Sequence, residues 1–287
     1  MNSEEYLERI GFHGSMDKLD LVTLKLIHKQ HVMSVPFENL SIHCGERITM
    51  DIEAIFNKIV RCSRGGWCLE NNLLFGWLMR ELGYNTTMLG SRVLGDNECD
   101  HETHLINKVV IDGKPYVTDV SFGVSFQIWE PLELVSGKDQ PQAGGIFRLI
   151  DKGEFWVLEK TSRKPEVLNP DFAKSSLVNR EETKQIYCFT LTPRQPDHFF
   201  ETSHTLQTDP NSLFTNKSIC SLQTQTGFRA LVGWTYSEVT YKPEEGVDIF
   251  DMKQVTDDEI EQILREKFKI KLQNKLQTVN KKACYTI

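Results

Sequence analysis

The chain has 287 residues, 39% hydrophobic and 25% charged, an ordinary globular composition with length for two or three packed layers or small domains. Its formal net charge of −7 argues against a nucleic-acid or anionic-membrane binder, which would need a basic face, while leaving room for a local positive patch that takes an anionic cofactor. No apolar run approaches the length of a membrane span. The seven cysteines form no C-x-x-C pairs, and the start Met1-Asn2-Ser3-Glu4-Glu5 is acidic with no apolar leader, which points to a reducing cytoplasmic compartment.

The N-terminal part reads mainly as helices. Tyr6 and Ile10, then Leu19, Leu21, Leu24 and Ile27, recur at helical spacing, and Ser34-Val35-Pro36-Phe37-Glu38-Asn39-Leu40 is a proline-marked connection. Ile52, Ile55, Phe56, Ile59 and Val60 predict one amphipathic helix over 51–61, which Gly65 and Gly66 interrupt. Leu69, Leu73 and Trp77, with Leu74 and Leu78, build the next helix, which stops near Gly83. The period then changes to strands at 86–93, 104–111 and 116–122, with Asp112-Gly113 as a hairpin turn. Further strands are expected at 146–149, 155–158, 186–191, 218–223 and 230–241, while 160–182 reads as an exposed insertion or long loop. A closing helix starts at Thr256, with Glu259 completing a capping box and Val255 placed to staple Ile260. The order is helices, then a β-barrel or sheet, then a mixed α/β tail: an α+β protein.

Cys68 falls in the first turn of the helix that follows the glycine pair. Unpaired N–H groups and the positive end of the helix dipole favour an anion there, and the same N–H groups can hold an oxyanion. A buried structural cysteine is the plainer explanation, so a base is required. His104 opens one strand of the hairpin, and a two-residue loop sets it opposite Ser121 with Asp119 as its diagonal neighbour, at a Cβ distance of roughly 7–8 Å or less. A carboxylate there fixes the imidazole tautomer. A three-residue loop would put the two on opposite faces. His101-x-x-His104 has a spacing that half of a metal site can use, but the strand period splits its members across faces and no Cys or carboxylate set completes it, so no metal is expected.

Arg64-Gly65-Gly66-Trp67-Cys68-Leu69-Glu70, Val35-Pro36-Phe37-Glu38-Asn39-Leu40 and Val117-Thr118-Asp119-Val120-Ser121-Phe122-Gly123 together resemble the arylamine N-acetyltransferases. Trp129-Glu130-Pro131-Leu132-Glu133-Leu134, the run from Ser136 to Gln142 and the final Thr286-Ile287 extend the likeness over nearly the whole chain, towards the vertebrate branch. The resemblance implies a cysteine-protease-like triad of Cys68, His104 and Asp119. It implies a three-part fold: a helical bundle over 1–83, a β-barrel over 84–192 with an inserted loop near 160–182, and an α/β lid with a tail over 193–287. It implies ping-pong acetyl transfer from acetyl-CoA, a co-substrate and not a resident cofactor, to arylamines and arylhydrazines, and O-acetylation of N-hydroxyarylamines. The enzyme would be a cytoplasmic monomer without nucleic-acid or membrane partners.

Arg64 and Glu38 would be an ion pair bracing the nucleophile loop. Acceptor contacts would come from Thr103, His104, Phe37, Val93, Phe122, Val124 and Phe126, with Phe122 favouring compact, planar amines. CoA contacts would come from Asp100, Thr205, Asn211 and Cys284. Two departures stand out. Ser121 occupies a position where the family has glycine, so its hydroxyl is placed to compete for His104, and the segment before His104 is shortened, with Asp100 and His101 in it. Two rival readings remain. One is a thiol hydrolase or transglutaminase-like enzyme sharing the Cys, His and Asp order; the other is a catalytically silent, ligand-binding relative.

Overall fold

The computed structural model describes residues 1–95, 101–281 and 284–287. Helices α1 (Ser3–Arg9), α2 (Leu21–Ser34), α3 (Leu40–His43), α4 (Ile52–Phe56) and α5 (Cys68–Glu81) come first, interrupted only by the two-residue strand β1 (Phe37–Glu38). Asn2 and Asp20 cap α1 and α2 by accepting the N–H groups of Glu4 and Thr23. The expected helix over 51–61 is two pieces, because α4 passes into a π-helical turn at Asn57–Arg61. The cause is a side chain distant in sequence: the Arg9 Nε donates to the Ile59 carbonyl at 2.9 Å and so enters the helical ladder there.

An eight-stranded sheet follows, curled into a nearly closed barrel. Its members are β2 (Asn85–Val93), β3 (His104–Ile111), β4 (Lys114–Thr118), β5 (Leu132–Glu133), β6 (Gln140–Gln142), β7 (Gly145–Asp151), β8 (Trp156–Thr161) and, after one intervening strand described below, β10 (Thr183–Pro193). The order is β5-β4-β3-β2-β10-β8-β7-β6. The β3–β4 hairpin has the expected register, from Ile111 opposite Lys114 to Asn107 opposite Thr118. Asp112 and Gly113 both have positive φ, 50° and 75°, as a tight two-residue hairpin turn requires.

The strand expected to run to residue 122 stops at Thr118. Its next donors are diverted: the Asp119 N–H goes to His28 Nε2, and the Ser121 N–H goes to the Asp119 carboxylate. The ladder ends where the site begins.

The stretch 160–182 is not a plain loop. It holds the end of β8, the strand β9 (Lys164–Val167) and a short 3₁₀ turn at Pro170–Phe172. β9 joins a second sheet of order β1-β11-β12-β13-β14-β9, pairing in parallel with β14 (Val247–Gln254). The other strands are β11 (Ile219–Thr224), β12 (Gly227–Val232) and β13 (Thr235–Lys242), so the expected 230–241 strand is two, turned at Gly233 with φ 56°. β1 brings the N-terminal region into this sheet through Phe37 opposite Ser221.

Helices α6 (Phe200–Thr208) and α7 (Leu213–Asn216) lead into this sheet, and α8 (Asp257–Lys267) closes it. In α8 the Glu259 carboxylate accepts the Thr256 N–H at 2.9 Å, and Val255, Ile260, Ile263 and Leu264 share one buried cluster with Tyr236 and Phe268. A single larger cluster joins α1, α2, α4 and α5 to both sheets, and the final Ile287 is buried in it.

Candidate active site

The nucleophile loop docks on β1. Gly66 donates to Pro36 O, and the Glu38 N–H donates to Gly66 O. A Cβ on Gly65 would come 2.2 Å from Pro36 O, so backbone contact alone demands glycine there. Arg64 grips Glu38 with two parallel bonds, Nε to Oε1 at 2.9 Å and Nη2 to Oε2 at 3.1 Å. Glu38 is buried and also accepts the N–H groups of Leu40 and Gly65. Burial disfavours its charge, but Arg64 and Lys58 outweigh that and hold its pKa below the ordinary value. Glu70 accepts both the Trp67 N–H and the Lys58 ammonium, so the turn entering α5 is tied at both ends.

Cys68 is the first residue of α5, and its N–H is therefore not used by the helix. Its Sγ lies 3.8 Å from the Thr103 carbonyl, against the entry to β3. His104 Nε2 is 2.7 Å from Asp119 Oδ2. An ionised carboxylate only accepts, so Nε2 carries the hydrogen and Nδ1 is left for Cys68. Burial disfavours the imidazolium, yet the charges of Asp119 and the Cys68 thiolate, each accepting a hydrogen bond from the ring, push the His104 pKa up to about 10. Asp119 is shifted down despite its burial, chiefly by His104 and by bonds from Asn72 and the Ser121 N–H.

The structure thus brings Cys68, His104 and Asp119 together. It also shows supports that sequence reasoning passed over. Asn72 Nδ2 donates to Asp119 Oδ1 at 2.9 Å, while its Oδ1 accepts the Val120 N–H. His28 donates from Nδ1 to the Trp129 carbonyl, so its bare Nε2 receives the Asp119 N–H at 3.3 Å. Burial lowers the His28 pKa to about 4, keeping it the neutral acceptor this bond needs. Gln127 Nε2 donates to the Asp119 carbonyl, and its Oε1 accepts the N–H groups of Phe122 and Gly123. The adjacent amides Asn71-Asn72 inside an apolar helix were the available signal, since fully buried amides need partners.

Ser121 does not compete for His104: its hydroxyl accepts from Asn71 Nδ2 at 2.9 Å. Nor is its backbone in the left-handed region, so glycine is not required there.

Among the expected acceptor contacts, Phe122 meets the His104 ring edge-on at 5.2 Å and the Phe126 ring at 6.2 Å. Phe37 packs against Gly123, and Val93 sits opposite Tyr187, whose ring is 5.2 Å from His104. Val124 and Phe126 are buried in the short turn that follows. Thr205 lies exposed on α6, Asn211 exposed before α7, and Cys284 exposed on the tail. Asp100 lies outside the described residues. Among the described residues no group of three or more His, Cys, Asp or Glu could hold a metal, and no helix is long and apolar enough to cross a membrane.

A family model described as N-acetyltransferase matches residues 20–277. A pineal gland isozyme of arylamine N-acetyltransferase from Gallus gallus is 50% identical over all of both chains. Arylamine N-acetyltransferase 1 of Homo sapiens is 44% identical over 96% of each. The solved arylamine N-acetyltransferase of Mycobacterium marinum in complex with CoA superposes with a TM-score of 0.79 at 26% identity, covering 94% of this chain and 93% of that one. The family model covers most of the chain and the vertebrate relatives align along almost its whole length, so the chain belongs to the arylamine N-acetyltransferases, a family of acyltransferases.

Proposed function

We propose that the chain moves the acetyl group of acetyl-CoA to the nitrogen of an arylamine or arylhydrazine in two half-reactions that share Cys68. The observation carrying this reading is the hydrogen-bonded line from Asp119 through His104 to a thiol at a helix N-terminus. In the first half-reaction the Cys68 thiolate attacks the thioester carbonyl. The developing oxyanion is met by the Cys68 N–H, the C–S bond to CoA breaks, and His104 gives its proton to the departing CoA sulfur. Acetylation removes the thiolate charge, one of the causes that raises His104, so the ring yields its proton more readily at this point.

In the second half-reaction the amine nitrogen attacks the acetyl-Cys68 carbonyl. His104 takes the nitrogen's proton as a general base, and the C–S bond to Cys68 breaks, restoring the thiolate. Arylamines suit this step because their amine is largely unprotonated near neutral pH. An N-hydroxyarylamine oxygen could be acetylated by the same route.

The acceptor wall is assigned to Thr103, His104, Phe37, Val93, Phe122, Val124 and Phe126, supported by the ring contacts from His104 through Phe122 to Phe126. CoA is assigned to Thr205, Asn211 and Cys284, supported by Phe214 of α7, whose ring packs on Trp67 beside the nucleophile at 5.2 Å. The division at residues 83 and 192 belongs to the same proposal, supported by the change there from helices to the barrel and from the barrel to the second sheet. A monomeric cytoplasmic enzyme completes it; the unpaired thiols of Cys44, Cys62, Cys68, Cys188 and Cys220 support a reducing compartment.

The test is incubation with acetyl-CoA followed by peptide mass spectrometry. An acetyl adduct on Cys68 that an arylamine discharges is expected. An absent adduct, or an equal one in Cys68→Ala, rejects the proposal, and discharge by water alone favours a hydrolase.

A further inference from the structure

Lys160 is almost fully buried on β8, a place where lysine is rare, and the chemistry above does not use it. Its ammonium lies 5.5 Å from the centre of the Phe126 ring and 5.8 Å from that of Phe147. It donates one hydrogen bond, to the Ser125 carbonyl at 2.5 Å. A Cβ on Gly145 would stand 2.9 Å from the lysine Cε, so β7 closes over the stem.

The turn it holds needs holding. Val124 has φ 47°, and a β-branched residue in the left-handed region is strained. Three side chains restrain the turn: Gln127 binds the N–H groups of Phe122 and Gly123, Gln223 donates to the Val124 carbonyl at 2.9 Å, and Lys160 holds Ser125. The first two are amides and do not titrate. Only the third can lose its charge.

We propose that Lys160 is a specificity-determining positioning residue: its ammonium, clamped between Phe126 and Phe147, sets the 124–126 turn and through Phe126 and Phe122 the acceptor wall. This rests on the reading that Phe122, Val124 and Phe126 form that wall.

The groups facing the ammonium explain its titration. Burial lowers its pKa most, Asp248 on β14 raises it, and Arg163 lowers it, leaving it at about 7. Arg163 is itself paired with Asp248 at 2.6 Å and lies over the ring of Tyr241 on β13. On β10, Lys184 sits 5.6 Å from the Phe126 ring and pairs with Glu181. When Lys160 is charged, cation–π attraction and a charge-assisted hydrogen bond fix the turn; when it is neutral both weaken. His28 titrates near 4 and stays neutral around neutral pH. His104 is common to the wild-type chain and Lys160→Met, so comparing the two separates its titration from that of Lys160.

Acceptor KM and kcat are measured for a compact aniline from about pH 6 to about pH 8. In the wild-type chain KM rises about threefold across that range with kcat little changed, the size expected for losing one partly buried cation–π contact. Lys160→Met holds the high KM at every pH, and Lys160→Arg keeps the low one through the upper end. A wild-type KM that stays flat, or one that Lys160→Met follows, overturns the inference, and the wild-type profile decides even if a variant folds poorly. Phe126→Ser separates the two readings. If it leaves acceptor KM unchanged, the acceptor wall is misassigned; if it shifts KM while Lys160→Met does not, only the role of Lys160 fails.

Discussion

The two sides of the site are built on opposite plans. On the nucleophile side, Cys68 stands on a turn fixed by paired ions, Arg64 with Glu38 and Lys58 with Glu70, and by glycines pressed against backbone. Asp119 is held from three directions by Asn72, His28 and Gln127. On the acceptor side, a three-residue turn with a strained Val124 hangs on two amides and one buried ammonium. The contrast teaches a division of labour. Reacting atoms must keep their geometry within a fraction of an ångström, so that side is over-determined, while the wall that meets the amine is left adjustable.

The harshest way to break the rigid side is Asp119→Asn. The substitution keeps the shape but offers an amide where Nε2–H needs a carboxylate, so kcat is expected to fall about 10³–10⁴-fold, as in other triads. A loss below tenfold in steady-state turnover would mean that Asp119 does not orient His104.

Glu38→Gln comes next. It leaves the buried Arg64 without its full counter-charge and is expected to cost about 3 kcal/mol of stability, read by urea denaturation. The acceptor preference of the surviving folded fraction should not change. If it does, the two sides are not independent.

The pH dependence of stability sharpens the comparison further. The folded pKa of His104, about 10, lies above its ordinary 6.5, so the folded state binds this proton more tightly. Its stabilising contribution is full below pH 6.5 and is lost as pH rises towards about 10. A melting-temperature series should show that decline, and it should be shallower in Cys68→Ala, where one of the charges raising the pKa is gone. Identical slopes would show that Cys68 and His104 are not coupled.

The smallest effect belongs to the adjustable side. Phe122→Ser opens the space beside His104, and relative kcat/KM should move towards bulky arylamines by about tenfold, the worth of one aromatic wall. Unchanged preference would remove Phe122 from the acceptor wall.

Much of this was legible in the residues. The two-residue turn at Asp112-Gly113 and its register were legible, but the ladder ends at Thr118, one residue before Asp119. It is Asn72, His28 and Gln127 that then hold Asp119 against His104. The start of α5 at Cys68 followed from Gly65-Gly66 and the apolar spacing after it. The π turn at Asn57–Arg61 was hidden because Arg9, far away in sequence, causes it. β9 was hidden because Lys164–Val167 is only four residues long and contains a proline, and its strand character comes from parallel pairing with a segment that follows much later in the chain. The role of Lys160 was invisible for the same reason: a lysine in a strand reads as solvated until β7 and the 124–126 turn close over it.

By itself, then, the sequence determined the local devices: helix starts, the hairpin turn, and which thiol, imidazole and carboxylate were available. These depend on backbone sterics and on neighbours a few residues apart. The tertiary structure alone decided what holds Asp119, where the Ser121 hydroxyl goes, and which lysine loses its water. Those outcomes depend on burial and on partners from distant segments, and no local pattern encodes desolvation.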